Sequence, residues 1–355
     1  MINVTKTFLP PQKEYNEILK RAWDIDWITN RGMLVKELEQ KLKSYLKVAN
    51  VLATTNGTLP LQIAIKALEL KGEIITTPFS YVATTSSIIW EGCSPVFIDI
   101  DPEYLTIDET KIEAAITSKT TAIVATHVFG NPCAVEEIDC IAKKHNLKVI
   151  YDAAHAFGVI YNGKSIFEYG DVSTCSFHAT KLFHTGEGGA LFTNDAALME
   201  KLFYHHNFGH EGKENFQGLG INAKMSELQA AMGLAVFPYL EEIINERKKV
   251  VETYINKIEN LQFLKIRPGT SWNFSYFPII FKDENQLLEA LKILEKEGIY
   301  PRRYFYPSLD TLPYVVKSDK ISISSDISKR ILCLPLFHDL PNADLKNIIN
   351  IINNI

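Results

Sequence analysis

From residue 50 to about 195 the chain alternates two patterns. Short apolar runs (VLATT, EIITT, PVFID, TAIVATH, KVIYDAA and VSTCSF) are separated by segments in which apolar residues recur at helical spacing. This alternation predicts an α/β fold with a mostly parallel, helix-covered sheet. Ligands of such sheets collect in the loops at the carboxyl ends of the strands, so a Thr, Asp or His just after an apolar run is a candidate binding residue. From Met225 to about Ile258 a helical pattern runs on with one interruption at Pro238, which ends or kinks the helix and marks the bridge to a second unit. Beyond it, FLKIRP and YFPIIF read as strands, ENQLLEALKILEKEG as a helix, and a last helix follows Pro341, together a smaller α+β unit. The expected division is an N-terminal segment over 1–30, with Trp23 and Trp27, draped over the large unit near its site; a large domain over 31–237; and a small domain over 238–355.

Length supports two units, because 355 residues exceed the ~250–300 at which a single core stops growing. A formal charge of −5, with Lys and Arg spread along the chain, leaves no basic footprint for nucleic acid. The five cysteines are odd in number and form no C-x-x-C pair, so reduced thiols are expected, with no metal and no redox centre. The N-terminus lacks an apolar stretch after a basic start, and no run of ~18 apolar residues occurs; a soluble, cytoplasmic protein with no membrane partner is the expectation.

One motif points to a different chemistry. Gly158 to Ser165, GVIYNGKS, matches the G-x-x-x-x-G-K-[ST] pattern of a phosphate-binding loop, which makes an ATP-binding protein the rival reading. A working loop of that kind needs a strand before it and a helix after it. Here Val159, Ile160 and Tyr161 are strand formers and Asn162-Gly163 suits a two-residue type I′ turn, so the segment predicts a β-hairpin instead.

Three other segments supply what a pyridoxal-phosphate site requires. Thr54-Thr55-Asn56-Gly57-Thr58 precedes a helical pattern, placing a small turn at a helix N-terminus where amides and dipole favour a phosphate; Gly57 and Thr58 are the candidate ligands, and a simple cap at Thr58 is the alternative. Val149 to His155 is an apolar strand that delivers Asp152, a carboxylate able to keep a pyridinium nitrogen protonated or, alternatively, to act as the N-cap of the next element. His155 reads either as part of that site or as a packed, hydrogen-bonded histidine. Lys181 follows the strand-like STCSF between hydroxyl residues and ahead of Thr185-Gly186-Glu187-Gly188-Gly189, a setting that suits a partly desolvated Schiff-base amine, with Ser176 a second phosphate donor.

In order along the chain stand Asn56-Gly57-Thr58-x-Pro60-Leu61, Thr77-Pro78-x-Ser80-Tyr81-x-Ala83-Thr84, an aspartate-rich turn with Asp99, Pro102, Thr106 and Asp108, Asp152-Ala153-Ala154-His155-Ala156-x-Gly158, Ser176-Phe177-His178-x-x-Lys181 with the Thr185–Gly189 turn, and Gly220-x-Asn222-x-Lys224-Met225 followed by SELQAA. Together they resemble the DegT/DnrJ/EryC1/StrS sugar aminotransferases, from about Trp27 to the C-terminal helix. The resemblance implies the three-layer, aspartate-aminotransferase-like fold and pyridoxal 5′-phosphate as cofactor, passing through its pyridoxamine form (PMP). It also implies Lys181 as the Schiff-base lysine and proton shuttle, Asp152 on the pyridine nitrogen, His155 on the ring oxygen or on Asp152, and Tyr81 stacked on the ring, where core packing is its alternative. It makes Asn222 a phosphate ligand offered to the neighbouring subunit of a homodimer; read alone, Asn222 is a cap or turn residue.

By the same resemblance the amino donor is L-glutamate and the acceptor a nucleotide-linked keto sugar. The form of the 152–189 segments is closest to enzymes that aminate dTDP-4-keto-6-deoxyglucose at C-4; amination at C-3 of a 3-keto isomer, or of a UDP-linked 4-keto sugar, stays open. Candidate substrate contacts are Trp27, Thr29, His184, Arg302, Arg303, Tyr304 and Tyr306, the arginine pair as a pyrophosphate clamp or else a solvated basic turn. Where the family often has a histidine, this chain has Asp310. A catalytically silent nucleotide-sugar binder is the third class, disfavoured by the presence of Lys181, Asp152, Ser176 and Asn222 together.

Overall fold

The computed structural model describes residues 1–316 and 321–355. All six apolar runs are strands of one seven-stranded sheet, in the order Val51–Thr54, Gly189–Phe192, Val172–Ser176, Lys148–Asp152, Thr120–Thr126, Glu73–Thr76, Ser94–Phe97. Gly189–Phe192 alone runs antiparallel to its neighbours. Helices cover both faces of the sheet: α3 (Leu59–Ala67) and α6 (Ala196–His206) bury Leu61, Ile65 and Leu202 with Ile74, Val124 and Ile150 on one face. On the other, α2 (Met33–Leu46), α5 (Val135–His145) and α7 (Glu227–Val236) bury Leu38, Ile138 and Leu234 with Ile75, Ile123 and Tyr151. Alternate residues of each strand serve the two faces, and that is why the runs read as continuously apolar.

The pattern around Pro238 resolves as expected. Ser226 and Gln229 form a capping box that starts α7, and Phe237–Tyr239 is a single tight turn with Pro238 inside it. The chain then continues into α8 (Leu240–Lys257). Leu240 and Ile243 belong to the large core, Val250, Val251 and Tyr254 to a second core, so α8 spans both. That second core is closed by α9 (Glu284–Lys296), the C-terminal helix Asn342–Asn353 and a three-stranded antiparallel sheet of Gln262–Phe263, Phe277–Ile280 and Ile331–Leu334.

The N-terminal segment drapes over the large unit as expected through Phe8, Tyr15, Ile18 and Leu19, except at its first residues. Its helix α1 (Gln12–Trp23) does pack on α7. Ile2 and Asn3, however, pair in parallel with Ile299 and Tyr300, and Leu336 N–H donates to Val4 O, so the first residues complete the C-terminal unit. Unpaired strand edges there draw them in.

GVIYNGKS is a hairpin. Ile160–Tyr161 pairs antiparallel with Lys164–Ser165, and Asn162 and Gly163 both take positive φ, 47° and 79°, as a type I′ turn requires. Only a three-residue turn, Ile166–Glu168, follows it. No helix N-terminus therefore faces the loop, and the ATP-binding reading ends there. No helix among the described residues is long and apolar enough to cross a membrane.

Candidate active site

A cavity of about 380 Å³ opens at the carboxyl ends of the parallel strands, within the range of small-molecule sites. Into it come Gly57 and Thr58 after the first strand, Tyr81 ahead of α4 (Val82–Trp90), Asp152 and His155, and Ser176 and Lys181. Arg302 and Tyr304 close it from the C-terminal unit. Nine residues singled out in the sequence thus converge, seven of them because strand ends of one parallel sheet share one edge.

Lys181 is half-buried in the turn after Val172–Ser176, and its Nζ lies 3.4 Å from the Tyr276 hydroxyl. Burial lowers its pKa from the ordinary lysine value, with Tyr304 and Asp152 opposing the shift. A larger share of neutral amine follows, the form that is nucleophilic. Tyr276, from the strand-edge segment of the small sheet, carried no signal in the sequence. Its neighbours Trp272 and Phe274 make it one aromatic among several, and only the folded chain brings it to the lysine.

Asp152 is 5% exposed. Its Oδ2 accepts from Thr84 Oγ1 at 2.6 Å and its Oδ1 from Ala154 N–H at 3.1 Å. Burial raises its pKa, against the Thr84 and Ala154 hydrogen bonds and the charge of Lys181. No helix follows Asp152, which removes the capping alternative. His155 is buried, and burial followed by the charge of Lys181 pushes its pKa well below the ordinary histidine range. Its Nδ1 accepts from Phe129 N–H at 3.1 Å. The neutral ring accordingly carries its proton on Nε2, a donor rather than an acid at neutral pH. Phe305 stacks on the ring with centroids 5.6 Å apart and planes 12° from parallel.

The candidate phosphate end differs in one respect. Asn56, not Thr58, caps α3: its Oδ1 accepts from the amides of Thr58 and Leu59, each at 2.9 Å, while the Thr58 side chain makes no cap bond. Among the described residues, Gly57 N–H has no acceptor, and Ser176 Oγ only receives a bond, from His178 N–H at 3.4 Å, leaving its own proton free. The two segments touch so closely that a Cβ on Gly57 would stand 2.6 Å from Ser176 Cβ.

Six candidates lie outside this cavity. His184 is buried elsewhere: Nε2 donates to Phe8 O at 2.6 Å and Nδ1 accepts from Gly186 N–H at 3.2 Å, so it ties the N-terminal segment down and has no nitrogen left for a substrate. Arg303 is spent on Glu284 Oε1 at 2.7 Å and Lys329 O at 3.0 Å, which dissolves the two-arginine clamp. Tyr306 is half-exposed beneath the Arg303 guanidinium, 3.5 Å from its ring centroid. Adjacent residues of an extended segment point to opposite sides, and Arg302 and Tyr304 take the inner one. Trp27 lines a separate groove with Arg31, Phe208 and Lys224; Thr29 and Asn222 are exposed, and Asn222 pairs by a bridge with Asn207 rather than capping α7. Asp310 is buried and accepts from Ser308 Oγ.

The profile of the DegT/DnrJ/EryC1/StrS aminotransferase family matches residues 11–353. The chain belongs to this family. It is 40% identical to the dTDP-4-amino-4,6-dideoxy-D-glucose transaminase of Shigella dysenteriae, over 100% of this chain and 99% of that one. It is 39% identical to the enzyme of the same name from Escherichia coli, over 96% and 94%. Among solved structures, that of DesI in the presence of its TDP-sugar product matches with a TM-score of 0.94 at 30% identity, over 99% of this chain and 92% of that one. The aminotransferase-like fold and the pyridoxal-phosphate chemistry expected of the sequence both stand. The residues present fit the cofactor: a half-buried amine of lowered pKa, a buried carboxylate, a neutral imidazole donor, and a hydroxyl with a free proton beside an unused amide.

Proposed function

We propose that this aminotransferase moves the amino group of L-glutamate onto C-4 of dTDP-4-keto-6-deoxy-D-glucose, giving dTDP-4-amino-4,6-dideoxy-D-glucose, as a homodimer. The observation that carries the sugar assignment is end-to-end similarity to two transaminases of that name at 39–40% identity, with the Lys181 cavity intact.

Pyridoxal phosphate, when bound, supplies the electron sink that makes the carbon beside the amino group acidic. The protein's own part is to hold and move protons. Lys181 Nζ, made less basic by burial, would carry the Schiff base and is the group able to take up and give back a proton at that atom. Tyr276 hydroxyl accepts from that Nζ and fixes its position. Asp152 would hold a proton on the pyridine nitrogen, and the His155 Nε2–H would be the donor for the ring oxygen. Gly57 N–H and the hydroxyls of Thr58 and Ser176 take the phosphate. Tyr81, half-exposed at the start of α4, covers the ring face. Arg302, which has no carboxylate partner among the described residues, receives the anionic part of the nucleotide sugar. Asn222 is solvent-exposed and outside its own chain's cavity, as a residue offered to the partner's phosphate site would be.

The test is to incubate the pyridoxal-phosphate enzyme with L-glutamate and dTDP-4-keto-6-deoxyglucose and to identify the product by NMR, beside 3-keto and UDP-linked analogues. The 4-amino product is expected, together with a near-visible absorbance band that responds to glutamate and is lost in Lys181→Ala. Amination at C-3, or preference for the UDP sugar, overturns the sugar assignment; a protein that binds no pyridoxal phosphate overturns the assignment of Lys181.

A further inference from the structure

Three hydroxyls that do not line the cavity run in a row into the Asp152 carboxylate. Thr126 Oγ1 is 2.9 Å from Ser80 Oγ, Ser80 Oγ is 2.8 Å from Thr84 Oγ1, and Thr84 Oγ1 is 2.6 Å from Asp152 Oδ2. Thr126, Ser80 and Thr84 are at most 4% exposed. They come from the end of the Thr120–Thr126 strand, where Thr126 is in register with Asp152, from the turn after Glu73–Thr76, and from the first turn of α4.

Each hydroxyl owns one proton, and that gives the row a direction. An ionised carboxylate only accepts, so Thr84 donates to Asp152. With its proton committed, Thr84 must accept from Ser80, and Ser80 in turn must accept from Thr126. All three O–H dipoles then point at the carboxylate. Its other oxygen is already taken by Ala154 N–H. Each oxygen keeps a second lone pair, which leaves the carboxylate room to accept one further donor. Reversing the row would leave the Thr126 proton with no acceptor among the described residues. In this direction every hydroxyl proton of the row has an acceptor, and the last acceptor is the carboxylate.

We propose that the Thr126–Ser80–Thr84 row is a positioning relay that keeps Asp152 ionised in its buried place, and thereby keeps the pyridine nitrogen of the cofactor protonated. This rests on the reading of Asp152 as the partner of that nitrogen. Burial alone pushes the carboxyl the other way, and the Thr84 bond is the largest influence opposing it. Successive hydroxyls polarise one another, each link strengthening the next by roughly 10–30%. The titratable groups around it are Lys181, whose charge favours the ionised carboxylate, and His155 and Cys175, which burial keeps neutral.

The experiment is NMR of the holoenzyme reconstituted with pyridoxal phosphate carrying nitrogen-15 in the ring, whose shift reports protonation of that nitrogen as pH is raised. Thr84→Val removes the direct donor and should weaken proton retention by about ten- to hundredfold, since hydrogen bonds to charged groups are worth that much. Ser80→Ala and Thr126→Val leave the Thr84–Asp152 contact but unpolarise it, an effect of about two- to fivefold. Thr84→Ser should restore wild-type behaviour. If Ser80→Ala and Thr126→Val fold and keep the wild-type ring shift at every pH, the row is only packing and the proposal falls. These two variants decide the matter even where Thr84→Val does not fold. Asp152→Asn separates the two levels: a ring shift unchanged by it overturns the role of Asp152 itself, whereas a shift changed by it and not by the row variants overturns the relay alone.

Discussion

Gly57→Ala tests the construction of the phosphate end by adding one methyl group. Gly57 is not in the left-handed region of backbone space, so an alanine there is resisted by contact and not by conformation. The new Cβ would stand 2.6 Å from Ser176 Cβ, 2.8 Å from its Oγ and 3.0 Å from its Cα. Carbon atoms pack at ~3.5–4.0 Å, so the turn before α3 and the end of the Val172–Ser176 strand must part by about 1 Å. Overpacking of this kind costs about 1–3 kcal/mol. The parting separates the Gly57 amide from the Ser176 hydroxyl, the two groups proposed to take one phosphate. If that strain is carried into binding, affinity for pyridoxal phosphate falls by roughly 5- to 150-fold. The assay is titration of the apo-enzyme with the cofactor, followed by absorbance, beside thermal unfolding. Ser176→Gly in the same chain removes the two shortest contacts and should recover the stability but not the full affinity, since the hydroxyl is gone. A Gly57→Ala enzyme that melts and binds cofactor as the wild type does would refute the reasoning.

Tyr276→Phe keeps the ring packing and removes the hydroxyl at Lys181 Nζ; a loss of about 2- to 12-fold in the rate of the glutamate half-reaction is expected from one hydrogen bond, with cofactor affinity unchanged, as stopped-flow absorbance will report. Arg302→Met should raise KM for the nucleotide sugar by about tenfold or more, whereas Arg303→Met should leave KM alone and lower the melting temperature, because its partners Glu284 and Lys329 O belong to the fold. Burial pushes His127 down to about 3, with the Arg267 charge adding to it, and His206 down to about 4. The unfolded chain takes up these protons near pH 6.5 while the native one refuses them, so the stability these groups contribute is full above about 6.5 and is lost as pH falls towards 4, by about 1.4 kcal/mol per pH unit for each. Urea unfolding across that range checks the slope, and His127→Gln should flatten it.

What the sequence determined by itself is the work of local pattern. The six apolar runs, the hairpin at Asn162-Gly163 and the break at Pro238 follow from side-chain period and backbone preference, which act within a few residues. The strand-end positions of Gly57, Asp152, Ser176 and Lys181 came with them, because a parallel sheet delivers all its carboxyl ends to one edge. Tertiary structure alone decided the rest. Tyr276 meets Lys181 across more than ninety residues of chain, Asn56 takes the cap given to Thr58, and Arg302 faces inward while Arg303 is bound to Glu284. His184 turns away to Phe8, and Ile2 and Asn3 join the far end of the chain. Each of these is settled by which donor finds an acceptor when distant segments are packed together, and a buried polar group left without one costs enough to choose between arrangements that look alike in the sequence.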